Sequence, residues 1–333
     1  MRRARLSGTR PGSDTRRMNQ NLLLDVVVSA VSRETDEVSC FELSRADGPL
    51  PPFEAGAHID VHTAVGPRQY SLCNLHEANG PYVVGVKREA GGRGGSRWMH
   101  DTLKVGTRLV IGAPRNNFRL VPEAVHHCLL AGGIGITPLV AMAHELGRRG
   151  HSFNLVCFAR SRAHAAFRGR LQAAPWAAQV RFHFDDTPSH RVDLSAFCAH
   201  QPEGRHFYVC GPAGFMAATR QAISQCPGAQ LHEERFAAEP AANPKGLDRY
   251  TVALARSGRD VRVEAGQTLL QALRGAGLNP LTSCEAGVCG SCVTPYLEGQ
   301  PVHGDAFLSA HERQHQLALC CAGSLGERLV LDL

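Results

Sequence analysis

The rhythm of apolar and polar positions changes twice along the chain. From Leu22 to about Leu120 the apolar runs are short, as in Leu22-Leu23-Leu24-Asp25-Val26-Val27-Val28 and Tyr82-Val83-Val84-Gly85-Val86. Gly and Pro break them at Gly48-Pro49, Pro51-Pro52, Gly66-Pro67 and Gly80-Pro81. Short β-rich runs at that spacing predict a small antiparallel β-barrel. From about His126 to Phe236 buried strands alternate with helices. His127–Ala131, Asn154–Phe158 and His206–Cys210 are the strands, and Pro138–Arg149 is the first helix. Alternation of that kind predicts βαβ units around a parallel sheet. The stretch from Ala237 to Gly246 is a linker by composition. After it, Tyr250–Leu254 and Val261–Val263 alternate like a hairpin, and Thr268–Leu273 predicts a short helix. The expected organisation is a basic tail (1–20), a barrel domain (21–122), an α/β domain (123–236), a linker (237–247) and a small C-terminal domain (248–333).

At 333 residues the chain exceeds one comfortable core, which agrees with several domains. The longest apolar run, Cys128 to Ala143, is broken by Gly132, Gly133, Gly135 and Pro138, so no membrane span is expected. Residues 1–18 carry six Arg and one acid; they read as a disordered tail, or as a start upstream of Met18, ahead of an amphipathic targeting peptide. No apolar secretory core is found, and a cytoplasmic location is expected. Net charge is +6 without any Lys/Arg run interleaved with aromatics, so a nucleic-acid partner is not expected. Twelve Cys are too dilute for a disulfide scaffold. Cys40, Cys73, Cys128, Cys157, Cys198, Cys210 and Cys226 stand alone and read as small buried hydrophobes. The other five fall after residue 280 and need a separate explanation.

Ser283-Cys284-Glu285-Ala286-Gly287-Val288-Cys289-Gly290-Ser291-Cys292 holds three thiols in a Cys-x4-Cys-x2-Cys spacing, with Cys320 and Cys321 as candidates for a distant fourth. Four thiolates around two bridged irons account for this spacing. Gly287 and Gly290 allow the loop to wrap so that backbone N–H groups face the sulfurs. Zinc is the alternative, although zinc ribbons usually pair Cys-x2-Cys knuckles. His303, His311 and His315 show no carboxylate pairing in sequence and read as solvated surface. Earlier in the chain, Ala131-Gly132-Gly133-Ile134-Gly135-Ile136-Thr137-Pro138 follows a strand and opens a helix, an arrangement suited to a pyrophosphate. Cys210-Gly211-Pro212 lies at a later strand's C-terminal end, where open α/β sheets bind ligands.

Residues 248–333 resemble a plant-type 2Fe–2S ferredoxin, which implies an α+β β-grasp fold with Cys284, Cys289, Cys292 and Cys320 as ligands. Leu319-Cys320 fits the family's last Cys, and 27 residues separate it from Cys292. The middle segment resembles the nicotinamide domain of the ferredoxin–NADP reductase superfamily. That resemblance implies nucleotide contacts from Gly132, Gly133, Gly135, Thr137, Pro138, Cys210, Gly211 and Pro212, with Cys210 aligning the ring for hydride transfer. Arg68-Gln69-Tyr70-Ser71-Leu72 resembles the superfamily's flavin motif, with Arg68 for phosphate, Tyr70 for the ribityl chain and Ser71 near the reacting nitrogen. The block Lys87 to His100, with Arg93, Gly94, Gly95 and Ser96 as an anion site, resembles the phthalate dioxygenase reductase and vanillate demethylase reductase group. So does His232-Glu233-Glu234-Arg235-Phe236. The group implies FMN in place of FAD, Phe236 against the flavin face, NADH as donor and a monomer. Arg160 and Arg162 sit where the adenine ribose is selected, and they leave NADPH open. Nicotinamide gives two electrons together and an iron–sulfur cluster takes one, so flavin must stand between them. The expected product is an NADH-dependent reductase feeding a terminal Rieske-type oxygenase. The rival readings are a stand-alone flavin reductase and a non-enzymatic iron–sulfur or zinc-binding carrier.

Overall fold

The computed structural model describes residues 22–45, 47–236 and 246–333. The basic tail, and the linker up to residue 245, lie outside the described residues.

Six antiparallel strands form the first unit: β1 (Leu23–Arg33), β2 (Val38–Ser44), β3 (His58–Thr63), β4 (Gly66–Ser71), β5 (Tyr82–Lys87) and β6 (Arg108–Gly112), with helix α1 (Gly95–Thr102) between the last two. Their order is β4-β3-β6-β1-β2-β5. A bridge between Leu72 and Val84 brings the two edges together, so the sheet is a nearly closed barrel. Alternation supplies its core: Leu24, Val26 and Val28 face Ile59, Val61, Leu72, Val84 and Ile111.

The second unit is a parallel five-stranded sheet of β7 (His126–Gly132), β8 (Phe153–Ala159), β9 (Val180–Phe184), β10 (Arg205–Cys210) and β11 (Gln230–Glu234), in the order β11-β10-β7-β8-β9. Strand β7 is buried throughout because both faces are covered, as in parallel sheets generally. Helices α2 (Ile136–Arg149), α3 (Arg168–Gln172), α4 (Leu194–Ala199) and α5 (Ala213–Ser224) lie on its faces. The strand order reverses between β7 and β10, which puts the Gly132–Gly135 loop and the Cys210-Gly211-Pro212 turn on either side of one crevice. Barrel and sheet share a core in which Val38, Cys40, Cys73 and Val83 pack with Leu139 and Phe167.

The C-terminal unit has a mixed sheet, β13-β12-β18-β14-β16, built from β12 (Tyr250–Leu254), β13 (Arg259–Val263), β14 (Val293–Glu298), β16 (Gln316–Ala318) and β18 (Arg328–Leu331). A two-stranded ribbon pairs β15 (Pro301–Val302) with β17 (Gly323–Ser324). Helix α6 (Leu269–Gly275) packs on the sheet through Leu269, Leu270 and Leu273. Thr268 and Gln271 close a capping box at its start. The cysteine loop joins α6 to β14. Among the described residues no helix is long and apolar enough to cross a membrane.

Candidate functional site

Strand β4 carries Arg68, Tyr70 and Ser71 into the face turned toward the second unit. The Arg68 guanidinium donates to the carbonyls of Val65 and Arg93, each at 3.0 Å. It lies across Gly95, where an added methyl would sit 2.4 Å from Arg68 Cγ. Burial and the neighbouring Arg93 charge lower its pKa. Two guanidiniums beside the N-terminus of α1, which has no side-chain cap, make a donor set that fits a phosphate. Burial pushes the Tyr70 hydroxyl up to about 12, so it is a neutral donor. Other residues of the motif are engaged within the fold. Leu72 lies wholly in the barrel core and its N–H donates to Ala57 O at 2.8 Å. Ser96 Oγ accepts from the Glu89 N–H at 3.1 Å, and Lys87 Nζ pairs with Glu89 Oε1 at 2.8 Å.

Across the crevice, Gly135 meets the β10 turn. A methyl added to Gly135 would lie 2.1 Å from the Cys210 carbonyl oxygen, so glycine is what lets the two loops touch. Gly132 and Gly211 are packed closely against each other and Phe215. Gly133 is the open member of the loop, with nothing within 4 Å of an added methyl. The Thr137 hydroxyl is turned to Ile134 O at 3.1 Å, and Pro138 is buried in α2. Arg160 leaves the end of β8 and reaches Glu37 of the barrel, Nη2 to Oε2 3.0 Å. Phe236 remains 45% exposed.

Glu234, to which the sequence assigned no role, stands between Ser71 and Cys210. The Ser71 hydroxyl donates to Glu234 Oε2 at 3.3 Å. Burial pushes the Glu234 carboxyl up to about 8, partly offset by that hydrogen bond. The Cys210 thiol is raised well above its usual range, first by burial and then by Glu234. His58 Nδ1 lies 4.0 Å from Glu234 Oε1, but burial and then the Arg115 charge lower His58 to about 3. Both partners are neutral at pH 7, so this contact is not an ion pair. The only signal in sequence was an acid ending a half-buried strand, which is weak.

The cysteine loop wraps as its glycines permit, with φ +69 at Gly287 and +77 at Gly290. A methyl on Gly287 would lie 2.8 Å from Cys321 Sγ. Backbone N–H groups point at sulfur: Ala286 to Cys284 and Gly287 to Cys320 at 3.3 Å, and Ser291 to Cys289 at 3.4 Å. Cys284 neighbours both Cys289 and Cys320, and Cys320 neighbours Cys292. Donation from those neighbours holds Cys320 far below the usual thiol range, and Cys289 is lowered to about 6, chiefly by Cys284. Among the described residues no three His, Cys, Asp or Glu are placed for a single metal ion. The extended run of four sulfurs with N–H donors suits ligands divided between two irons. Cys321 Sγ also borders Cys320, and it lies 3.8 Å from Ala318 O. His303 departs from expectation: it is mostly buried, with Nδ1 3.7 Å from Asp305 Oδ1, and Asp305 is held by Arg313 at 3.3 Å. Asp305 stands two residues after His303, so that pairing was within reach of the sequence; the burial and the Arg313 contact come from the chain turn between β15 and β16. The seven single cysteines are all buried.

A cleft of about 240 Å³ opens where the three units meet, lined by Asn117, Phe118, His232, Glu234, Val288 and Phe307 among others. Glu234, which accepts from Ser71 of the flavin motif, and Val288 of the cysteine loop therefore share its wall.

Comparison with known proteins agrees with this geometry. The family model described as a 2Fe-2S iron-sulfur cluster binding domain matches residues 252–323. A vanillate O-demethylase oxidoreductase of Pseudomonas sp. is 41% identical, over 93% of this chain and 100% of its own length. The solved structure of phthalate dioxygenase reductase, described as modular for electron transfer from pyridine nucleotides to [2Fe-2S], aligns with TM-score 0.69 and 35% identity, covering 93% and 98%. An intact type IV self-sufficient cytochrome P450 monooxygenase aligns with TM-score 0.86 and 35% identity, over 99% of this chain and 43% of that one.

Proposed function

The chain belongs to the oxygenase reductases that include vanillate O-demethylase oxidoreductase and phthalate dioxygenase reductase, NAD(P)H-dependent flavin and iron–sulfur oxidoreductases, and from that premise we propose that it carries electrons from NADH through FMN and a 2Fe–2S cluster to a Rieske-type terminal oxygenase. The carrying observation is one cleft lined both by Glu234, the hydrogen-bond partner of Ser71 in the flavin motif, and by Val288 of the cysteine loop. When bound, flavin takes the nicotinamide hydride and gives up its two electrons singly, as a cluster requires.

The chain's own residues supply position and protons. Arg68, Arg93 and the amides at Gly94, Gly95 and Ser96 hold the flavin phosphate, while Tyr70 takes the ribityl chain and Ser71 stands near the reacting nitrogen. Gly132, Gly133 and Gly135 admit the nucleotide pyrophosphate to the crevice, and Cys210, Gly211 and Pro212 form its opposite wall. Glu234 keeps a proton on its carboxyl at pH 7 beside Ser71 Oγ, and Phe236 covers the ring. Cys284, Cys289, Cys292 and Cys320 bind the irons. The domain limits that go with this reading are 21–122, 123–236 and 248–333. A cytochrome P450 is the second candidate partner, because the chain matches 43% of a self-sufficient P450 monooxygenase.

The Cys289→Ser variant tests the path. NADH-driven reduction of ferricyanide survives, while reduction of a one-electron protein acceptor such as cytochrome c falls at least about a hundredfold, as loss of a sole carrier requires. Survival of both activities would place the cluster outside the path. Reconstitution with Rieske-type and P450 oxygenases distinguishes the partners.

A further inference from the structure

The contact between the barrel and the cysteine loop is charged, buried and specific. Asp60, on β3, is 8% exposed in its side chain and Arg115, just past β6, is 12% exposed. Arg115 Nη2 meets Asp60 Oδ2 at 2.7 Å. The other carboxylate oxygen accepts from the Ser283 hydroxyl at 2.7 Å, across 223 residues of chain. Arg115 Nη2 also donates to Ser291 Oγ at 2.9 Å, and Asn117 Nδ2 donates to the Cys289 carbonyl at 3.0 Å. The ten-residue loop is thus gripped at Ser283, Cys289 and Ser291. Every grip comes from two short pieces of the barrel.

A buried ion pair is an expensive way to gain stability, because desolvation consumes most of the attraction. It is a good way to specify one geometry, since Arg115 Nη2 must reach Asp60 Oδ2 and Ser291 Oγ together while Asp60 Oδ1 takes the Ser283 hydroxyl. The Cys289 thiol contacts Ser291 Oγ at 3.3 Å, so the Arg115 charge stands one hydroxyl away from a cluster sulfur. We propose that Asp60 and Arg115 form a latch that docks the cluster loop on the flavin barrel, and that they are positioning residues for electron passage from flavin site to cluster. The inference rests on the electron path above, and it adds which residues fix the distance. With the latch closed the C-terminal unit reads as docked to the barrel.

The test uses the full-length holoenzyme and three variants. Asp60→Asn/Arg115→Gln removes both charges together and avoids an orphan buried ion. Ser283→Ala removes one loop-side partner alone, and Arg115→Lys keeps the charge without the guanidinium's reach to both Asp60 and Ser291. Hydrogen exchange at amides 283–292 is measured against β3 and β6 as internal standards, together with anaerobic rates of flavin and cluster reduction by NADH. The double variant exchanges its loop amides roughly tenfold faster and reduces its cluster roughly tenfold more slowly, with flavin reduction within twofold of wild type. Ser283→Ala shows the same pattern more weakly, and Arg115→Lys falls between. Unchanged loop exchange and cluster reduction in the folded double variant overturn the latch. If that variant does not fold, Ser283→Ala decides by the same two readouts. A protein lacking iron and sulfide refutes the electron path instead, and the exchange measurement still judges the latch.

Discussion

At the scale of single residues, Glu234 carries the largest consequence. Burial raises its carboxyl from 4.5 to about 8, so the folded protein holds a proton that the unfolded chain releases. An acid raised in the folded state weakens folding as pH rises: stability falls from about pH 4.5 and goes on falling through about pH 8. The melting temperature of the apo-protein therefore declines over that range relative to Glu234→Gln, which cannot titrate. Scanning fluorimetry of the two proteins side by side checks this, and parallel pH profiles would refute it. His58 and Cys210 keep to their neutral forms beside it, so the groups packed around the Glu234 carboxyl are uncharged at pH 7.

At the scale of elements, the crevice depends on two turns that touch. Replacing Gly135 by Ala puts a methyl 2.1 Å from the Cys210 carbonyl, a backbone atom that cannot swing aside. The start of α2 or the β10 turn must move, at a cost of about 1–3 kcal/mol. Urea unfolding measures the loss, and an unchanged midpoint would mean the loops are looser than described. The elements themselves were largely legible in the sequence. The strand read at Tyr82–Val86 is β5, and the helix read at Pro138–Arg149 is α2. The strand read at Leu22–Val28 runs on to Arg33, because a register shift between Val28 and Ala30 lets the polar end of β1 keep pairing with β2. Composition could not announce that extension, since Ser29, Ser32 and Arg33 look like a turn.

At the scale of the whole molecule, units far apart in sequence set the chemistry jointly. Arg160 should have been free to take a 2′-phosphate, yet it is tied to Glu37 of the barrel at 3.0 Å. Both side chains are partly exposed, so the tie is worth no more than about 1 kcal/mol. On the proposed reading with NADH as donor, Glu37→Gln frees Arg160 and raises kcat/KM for NADPH by up to about fivefold with little change for NADH. Steady-state rates with both nucleotides check this. An unaltered ratio would remove Arg160 from the selection.

By itself the sequence determined what is local. Cys-x4-Cys-x2-Cys, the Gly132–Gly135 loop and the alternation of strand and helix are set by turn chemistry and side-chain period, which act over a few residues. Tertiary structure decided the rest. Ser71 meets Glu234 across 163 residues and Asp60 meets Ser283 across 223. It also buried His303 against Asp305, and it turned Leu72, Thr137 and Ser96 to partners within the fold. Burial, protonation and ion pairing depend on what is packed alongside, and the chain's order does not encode its neighbours until it has folded.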